Sequence, residues 1–523
     1  MLDALHFSHY NRFEMNFSGG APSTALAPVR PANRPQTMCS FYRKAILMRE
    51  STVNEILKLF ELLCSVPHGS GHEQQLSDEL CEWLYALGLS PEQDVHGNII
   101  CDAAGTTDGP LVVLQAHLDM VCAAGSPDYH PRTDPIRPIE RDGWLCTAGE
   151  SSLGADCGAG VAVMLWIARH NELPHPPLRL IFTVSEEVGL AGASNMDPAC
   201  MDGVSYFINL DGFCFGRAVI GSAGGARLTL SRPIETEPCP AGMSAYRVTL
   251  SGLTGGHSGA DIDKNRANAI EQLGLALRAL GAHQPFRLFG LDCGTAANAI
   301  PAAASCAFVT GRDPRAWLAQ AHAQLALPCG VTEPGARFSL TPCEPPAAVY
   351  TQALTQAVTA LACGCPNGVF RYHTDFPALV GDSSNLGVLR TEQGQVTARA
   401  MVRCSDPAAG DALVEQYAAA AAQNGFAFSE DGRYPIWPVR MDSELVQQAR
   451  ACCEAVTGEP LTVEAYHVGL EPAVFRSYNP AAQFITLGMT IENCHSPAER
   501  WKLDTIAPFT AVVTRLLAAL AET

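Results

Sequence analysis

Several short, almost unbroken apolar segments in this chain each end on a carboxylate or an imidazole, and this constrains its fold more than any other feature. "LVVLQAHLD" (111–119) runs into His117 and Asp119, "LRLIFTVSEE" (178–187) into Glu186 and Glu187, and "VSYFINLD" (204–211) into Asp211. Near the C-terminus "AAQFITLGMT" is followed by "ENCHSP", which carries His495, and Asp156 lies in "SLGADCGAG" at the entrance to an apolar helical stretch. Apolar runs of this length read as strands buried on both faces. Between them, "HEQQLSDELCEWLYALG" and "GAGVAVMLWIARHN" have helical spacing, the first closing on Gly88. Strands alternating with helices predict an α/β fold with a mixed sheet flanked by helices. Ligands bind outside the carboxyl ends of strands in such sheets. Five segments therefore bring cation-binding groups towards one edge.

A chain of 523 residues exceeds one compact core, so two or more domains are expected. The net charge of −19 argues against nucleic acid, whose phosphates it would repel. No apolar run reads as a bilayer span, so no membrane insertion is expected. Twenty cysteines are scattered without a single CxxC, which fits reduced, buried thiols in a cytoplasmic protein. Residues 1–50 read as a disordered leader rich in Pro, Ala, Ser and Gly. They lack the apolar core and cleavage site of a secretory signal. Regular structure is expected from Ser51 or Thr52, as the N-cap of a first helix.

Taken singly, each polar group has an ordinary explanation. A histidine after a strand commonly makes a structural hydrogen bond, and paired glutamates commonly open a solvated helix. Taken together they supply hard oxygens and imidazoles, a donor set suited to zinc or manganese. In an extended His-x-Asp both side chains share a face, so Asp119 can accept the second imidazole N–H of His117. The side chains of Glu186 and Glu187 diverge, so one can bind metal while the other faces a water.

The order "AHLDMV", "SLGADCG", "TVSEEVGL", "INLDG", "GGHSG", "NAIP", "HVGLE" and "CHSP" resembles the aminoacyl-histidine dipeptidases, a branch of the two-zinc exopeptidases and deacylases. The resemblance runs from about Ser51 to the C-terminus. It implies two divalent ions, zinc with cobalt or manganese as alternatives, bridged by Asp156 and a water. His117 and Asp211 would hold one ion, and Glu187 and His495 the other. Glu186 would be the general base and Asp119 the partner of His117. A cis peptide is implied after Asp156. His257 of "GGHSG" would steady the oxyanion, with Asn298 beside it, and Arg403 would clamp the substrate carboxylate. Glu471 would hold the substrate amine or form a structural ion pair. Two positions depart from the pattern: Cys157 follows the bridging aspartate, and Ala297 precedes "NAIP".

Residues 223–431 differ from their surroundings. "CAFVTGRDPRAWLAQAHAQL" and "TARAMVRCSDPAAGDALVEQYAAAA" both read strand, arginine, turn, helix, with Arg312 and Arg403 in matching places. This suits an inserted α/β lid of two related units, between catalytic parts at 51–222 and 432–523. The reading is a metal-dependent dipeptidase acting on short peptides, Xaa-His dipeptides among them. A homodimer is compatible with it. A deacylase or aminopeptidase with the same metal chemistry is the first alternative, and an inactive peptide-binding protein the second.

Overall fold

The computed structural model describes residues 37–329, 332–374 and 376–522, with side chains described from Ser51 and not over 326–331. The first helix spans Thr37–Cys64, starting well before the expected cap at Ser51. No Gly or Pro lies between Pro35 and Cys64 to interrupt it. The rest of the expected leader, residues 1–36, lies outside the described residues.

The first sheet has eight strands, in the order Glu92–Gln93, Ile99–Ala103, Leu178–Thr183, Leu111–His117, Val204–Gly212, Gln483–Gly488, Arg217–Ser222 and Thr462–Tyr466. Leu178–Thr183, Leu111–His117, Val204–Gly212 and Gln483–Gly488 pair in parallel, which brings their carboxyl ends to one edge. Arg217–Ser222 runs antiparallel to Gln483–Gly488, so the sheet is mixed. Alternation within one strand shows both faces at work. Val112, Leu114 and Ala116 join the core formed with Ala155–Arg169, Glu444–Thr457 and Ile506–Leu520, while Val113 joins the opposite core around Phe207, Phe475 and Phe484. Residues of the second set share their face with Gln115 and His117.

The stretch Leu503–Leu520 does reach the length and apolarity of a membrane span, contrary to expectation, with a mean hydropathy of 1.5 over 18 residues. It is nevertheless a core helix. Ile506, Phe509, Val513, Leu516 and Leu520 pack into the first core, and the helix lies against Glu444–Thr457.

The second sheet is built wholly from strands between Gly224 and Tyr434 and is antiparallel throughout. Eight of its nine strands form two units, each running strand, helix, strand, strand, helix, strand, and the ninth, Gly368–Tyr372, pairs with Val380–Glu392 off that path. The outer unit uses Gly224–Pro233, Gln352–Gly364, Val380–Glu392, Gln395–Cys404, Pro407–Gln423 and Ala427–Tyr434. The inner unit is inserted after its first strand and uses Ser244–Ser251, Ala269–His283, Phe286–Cys293, Ala304–Thr310, Arg315–Cys329 and Arg337–Cys343. Across the sheet the strand order is fourth, first, third, second in the inner unit, then second, third, first, fourth in the outer. The units meet edge to edge at Asp292–Arg390 and Cys293–Leu389. The expected duplication is therefore real in topology. Arg312 follows the third strand of its unit and is exposed, whereas Arg403 lies near the end of the third strand of its own and is buried. The eighteen cysteines whose side chains are described are all free thiols.

Candidate metal centre and its surroundings

His117 closes the strand Leu111–His117, and Asp211 lies near the end of the neighbouring strand Val204–Gly212. Asp156 sits in the first turn of Ala155–Arg169, entered through Gly154 at φ 71°. A side chain on Gly154 would meet the Met120 sulfur, so glycine is required there on two counts. The peptide between Asp156 and Cys157 is cis. Glu186 and Glu187 follow Leu178–Thr183 on a turn opened by Ser185 at φ 54°, and His495 itself has φ 62°. Non-glycine residues in the left-handed region cost of order 1–3 kcal/mol and persist where their surroundings hold them.

These segments converge. The two oxygens of Asp156 face different histidines: Oδ1 is 3.1 Å from His117 Nε2 and Oδ2 is 3.0 Å from His495 Nε2. His117 Nε2 also lies 3.5 Å from Asp211 Oδ1, and His495 Nε2 lies 2.6 Å from Glu187 Oε1. Yet Glu187 Oε1 and Asp211 Oδ1 are buried and make no hydrogen bond. Two buried carboxylate oxygens left without hydrogen bonds beside two imidazoles are an arrangement suited to metal ligands. One three-residue grouping of His117, Asp156 and Glu187 and another of His117, Cys157 and Asp211 place ligand atoms within 4.8 Å of one another. In the second, the Cys157 thiol donates to the Leu210 carbonyl at 3.5 Å, turned towards the strand.

The electrostatics agree. For the side chains alone, burial and Glu187 push the Glu186 carboxyl well up, and burial pushes Glu187 up. Asp211 is pushed up to about 6 by burial, offset in part by His117. Burial also opposes ionisation of Asp156, but hydrogen bonds from His117 and His495 outweigh it and hold that carboxyl well below its usual range. Asp156, Glu186, Glu187 and Asp211 gather in one largely dry site with no lysine or arginine bonded to them among the described residues. Divalent cations would supply the missing positive charge.

Asp119 differs in detail from expectation. The Nδ1 of His117 meets the Asp119 backbone carbonyl at 2.9 Å, while the carboxylate stands at 3.6 Å. The carboxylate instead accepts the backbone N–H groups of Glu186 (2.8 Å) and Glu187 (3.2 Å) and the Ser70 hydroxyl (2.8 Å). A carbonyl two residues along can reach the ring edge, which frees the carboxylate to tie two strand ends together. Glu73, not singled out in the sequence, accepts the Ser185 N–H at 3.0 Å and so holds the left-handed residue in place. Glu499, likewise not singled out in the sequence, lies just beyond the "CHSP" motif. It accepts N–H groups from Leu153, Gly154 and Asp156. Its one sequence signal is its position four residues after a metal-type histidine.

Beneath the centre, Gln115, Asn209 and Thr486 stand in register on three adjacent strands and are joined by hydrogen bonds of 2.7 Å. Glu471 closes this row, accepting from Gln115 at 2.5 Å and Thr183 at 2.9 Å. It is 1% exposed, its Oε1 makes no hydrogen bond, and burial pushes it up to about 8. No arginine or lysine pairs with Glu471 among the described residues, so the structural ion pair is absent.

His257, on a short two-stranded ladder with Ala299–Ile300, meets Arg403 of the second sheet. His257 Nδ1 accepts N–H groups from Gly259 (3.2 Å) and Ala260 (3.1 Å), which leaves the ring proton on Nε2. Arg403 Nη2 lies 3.4 Å from that nitrogen, so two N–H donors stand side by side. Burial, then Arg403 and His495, hold the His257 imidazole well below its ordinary value, so it is neutral at pH 7. Arg403 is 4% exposed and bonds Tyr434 Oη at 3.1 Å and Ser258 Oγ at 3.4 Å, with no carboxylate partner among the described residues. The carbonyl of Asn298 accepts the Ser258 N–H at 2.8 Å, while its side chain is exposed.

Residues 113–519 match the model of peptidase family M20/M25/M40. The cytosol non-specific dipeptidase of Escherichia coli (strain K12) is 28% identical over 467 residues, covering 88% of this chain and 96% of that protein. The crystal structure of aminoacylhistidine dipeptidase from Vibrio alginolyticus superposes with a TM-score of 0.75 at 30% identity, over 89% of this chain and 96% of that one. Human carnosine dipeptidase 1 shares the fold, with a TM-score of 0.53 at 13% identity over 92% of this chain and all of that one. With a family match spanning most of the chain, and the ligand-bearing strand ends inside it, the protein belongs to peptidase family M20/M25/M40.

Proposed function

We propose that this protein is a metal-dependent dipeptidase that hydrolyses short peptides, Xaa-His dipeptides among them. The observation that carries the reading is a pair of buried groups with no oppositely charged partner among the described residues: the Arg403 guanidinium, and the Glu471 carboxyl, which burial holds towards its neutral form until a cation arrives. A buried charge without a partner is strongly destabilising unless a ligand completes it. A dipeptide carries one group for each, a terminal carboxylate for Arg403 and a free amine for Glu471. The E. coli and V. alginolyticus relatives, by their names, are dipeptidases.

His117 and Asp211 would hold one divalent ion and Glu187 and His495 a second, with Asp156 between them. Zinc suits this set of imidazoles and carboxylates, with cobalt or manganese able to replace it. When bound, the pair supplies Lewis acidity to a water and to the scissile carbonyl. Glu186, beside the ligand Glu187 on the same turn, is the general base: it takes the water proton and returns it to the leaving amine. Asp119 holds the amides of both glutamates, so base and ligand keep their divergent directions. The Nε2–H of His257 donates to the developing oxyanion, and Asn298 steadies the loop that carries it. In this division of labour residues 51–222 and 432–523 are catalytic and 223–431 form the lid.

Chelation is expected to abolish hydrolysis of a dipeptide panel, and zinc, cobalt or manganese to restore it. Full activity in protein shown to be metal-free refutes the proposal. Hydrolysis of N-acyl amino acids with no turnover of dipeptides shifts the assignment to a deacylase.

A further inference from the structure

Glu499 has no role in the chemistry above, yet it is among the most deliberately placed carboxylates in the chain. It is 2% exposed. Oε2 accepts the backbone N–H groups of Leu153 at 2.8 Å and Gly154 at 3.0 Å, and Oε1 accepts that of Asp156 at 3.2 Å. Three donors on two oxygens fix the turn on which Asp156 sits, including the amide of Asp156 itself. That turn needs fixing. Asp156 lies in a helix start with non-helical torsions, φ −86° and ψ 104°, so the regular helical ladder does not hold it.

Glu499 is itself anchored. It directly precedes the strand Arg500–Lys502, which pairs with Trp144–Cys146 in a small four-stranded sheet. Trp501 is fully buried there, with its ring 5.2 Å from that of Phe60 in an edge-on arrangement. On its other side the chain turns tightly back to His495, through the Glu499 N–H to the Ser496 carbonyl at 3.0 Å. One short loop thus carries His495, which faces Asp156 Oδ2, and the carboxylate that holds the Asp156 backbone.

We infer that Glu499 is a positioning residue that sets the spacing of the two metal sites, by fixing the bridging Asp156 relative to His495 on a common loop. It touches neither substrate nor metal. Its effect passes through the direction of the Asp156 side chain, and outer groups that orient ligands typically matter 10–100-fold in metal affinity. The inference rests on the two-metal reading given above.

The test is metal titration of the full-length protein, after chelation, with zinc against a competing indicator. Wild type, Glu499→Gln and Glu499→Asp are compared, with kcat and KM on one dipeptide and the melting temperature of each chelated protein. Glutamine keeps the shape but offers one acceptor oxygen, and its amide N–H₂ opposes the backbone donors. Zinc binding by Glu499→Gln is expected to weaken by about 10–100-fold. Its kcat is expected to fall while KM stays near wild type, and its chelated form to melt close to the chelated wild type. Aspartate keeps the charge one methylene back and is expected to fall between the two. Glu499→Gln that binds two zinc ions with wild-type affinity overturns the inference, as does a loss of chelated-state stability with metal affinity unchanged. If Glu499→Gln does not fold, Glu499→Asp decides: wild-type zinc affinity in that variant is equally fatal. Wild-type protein that binds no divalent metal overturns the two-metal reading instead, so the two failures are distinguishable.

Discussion

In the first sheet His117, Asp211 and Glu187 stand at or just past the ends of neighbouring parallel strands. In the second region, Arg403 lies on a strand of the antiparallel sheet and His257 on a short two-stranded ladder between elements of its inner unit, and they meet 3.4 Å apart. The first arrangement is a property of each strand separately, because any parallel strand of sufficient length delivers its last residue to the common edge. The second is a property of the pairing between units. A shift in the Asp292–Arg390 contact would move His257 and leave Arg403 where it is. Under the proposed function the two regions divide the work: the parallel edge would assemble charge for a metal, and the second region would bring donors to a substrate.

The largest expected effects lie at the parallel edge. Glu186→Gln retains shape and removes only the proton acceptor, so kcat is expected to fall by ~10²–10⁴-fold with both metals still bound. Glu187→Ala is expected to lose one ion. Metal analysis beside the kinetics checks the pair, and loss of a metal from Glu186→Gln with full retention in Glu187→Ala reverses their roles.

Next come the donors of the second sheet. His257→Ala is expected to lower kcat by ~10²–10³-fold, the usual loss for one oxyanion donor, with metal content unchanged. Altered metal content in that variant breaks the proposed separation between the regions. Arg403→Ala is expected to raise KM for a dipeptide, and to matter little for the same dipeptide carrying a C-terminal amide. Additive losses from the variant and the amide would mean that Arg403 and the carboxylate do not meet.

How much of this could be read from the sequence follows the same division. His117, Asp156, Glu187, Asp211 and His495 were legible because apolar runs announce buried strands, and strand ends announce the edge. The clamps were not. Glu73 and Glu499 bind backbone amides, which every residue has, so nothing in the amino-acid pattern marks their partners. Asp119 was found, but its carboxylate proved to serve the glutamate turn more closely than the His117 ring. The duplication in the second sheet was visible only around Arg312 and Arg403, because insertion of one unit inside the other separates the corresponding elements.

The smallest effect sharpens the seam between the two regions. His467 follows a strand of the first sheet, and its Nε2 meets Ser383 of the second at 2.7 Å. Burial, then Arg403, pushes its imidazole down to about 3. A folded value below the ordinary 6.5 means that the unfolded chain takes up the proton first. Stability from this group is therefore intact above pH 6.5 and lost as pH falls towards 3. His467→Asn is expected to flatten that decline, by at most ~1.4 kcal/mol per pH unit. Melting curves of both proteins between pH 7 and 4 measure it, and parallel slopes would show that His467 protonates freely in the folded state.

The strand Gln483–Gly488 lies inside the first sheet, between Val204–Gly212 and Arg217–Ser222, yet it is made after the entire second sheet. During synthesis both neighbours emerge early and wait with open edges while the inserted units form. Such edges invite pairing with other chains. The late strand also leads directly to His495, so the last of the proposed metal ligands arrives with the piece that closes the sheet. An incomplete chain consequently lacks both a finished core and a complete centre. Metal capture would thereby be a late event in the life of the nascent protein, coincident with the sealing of its middle.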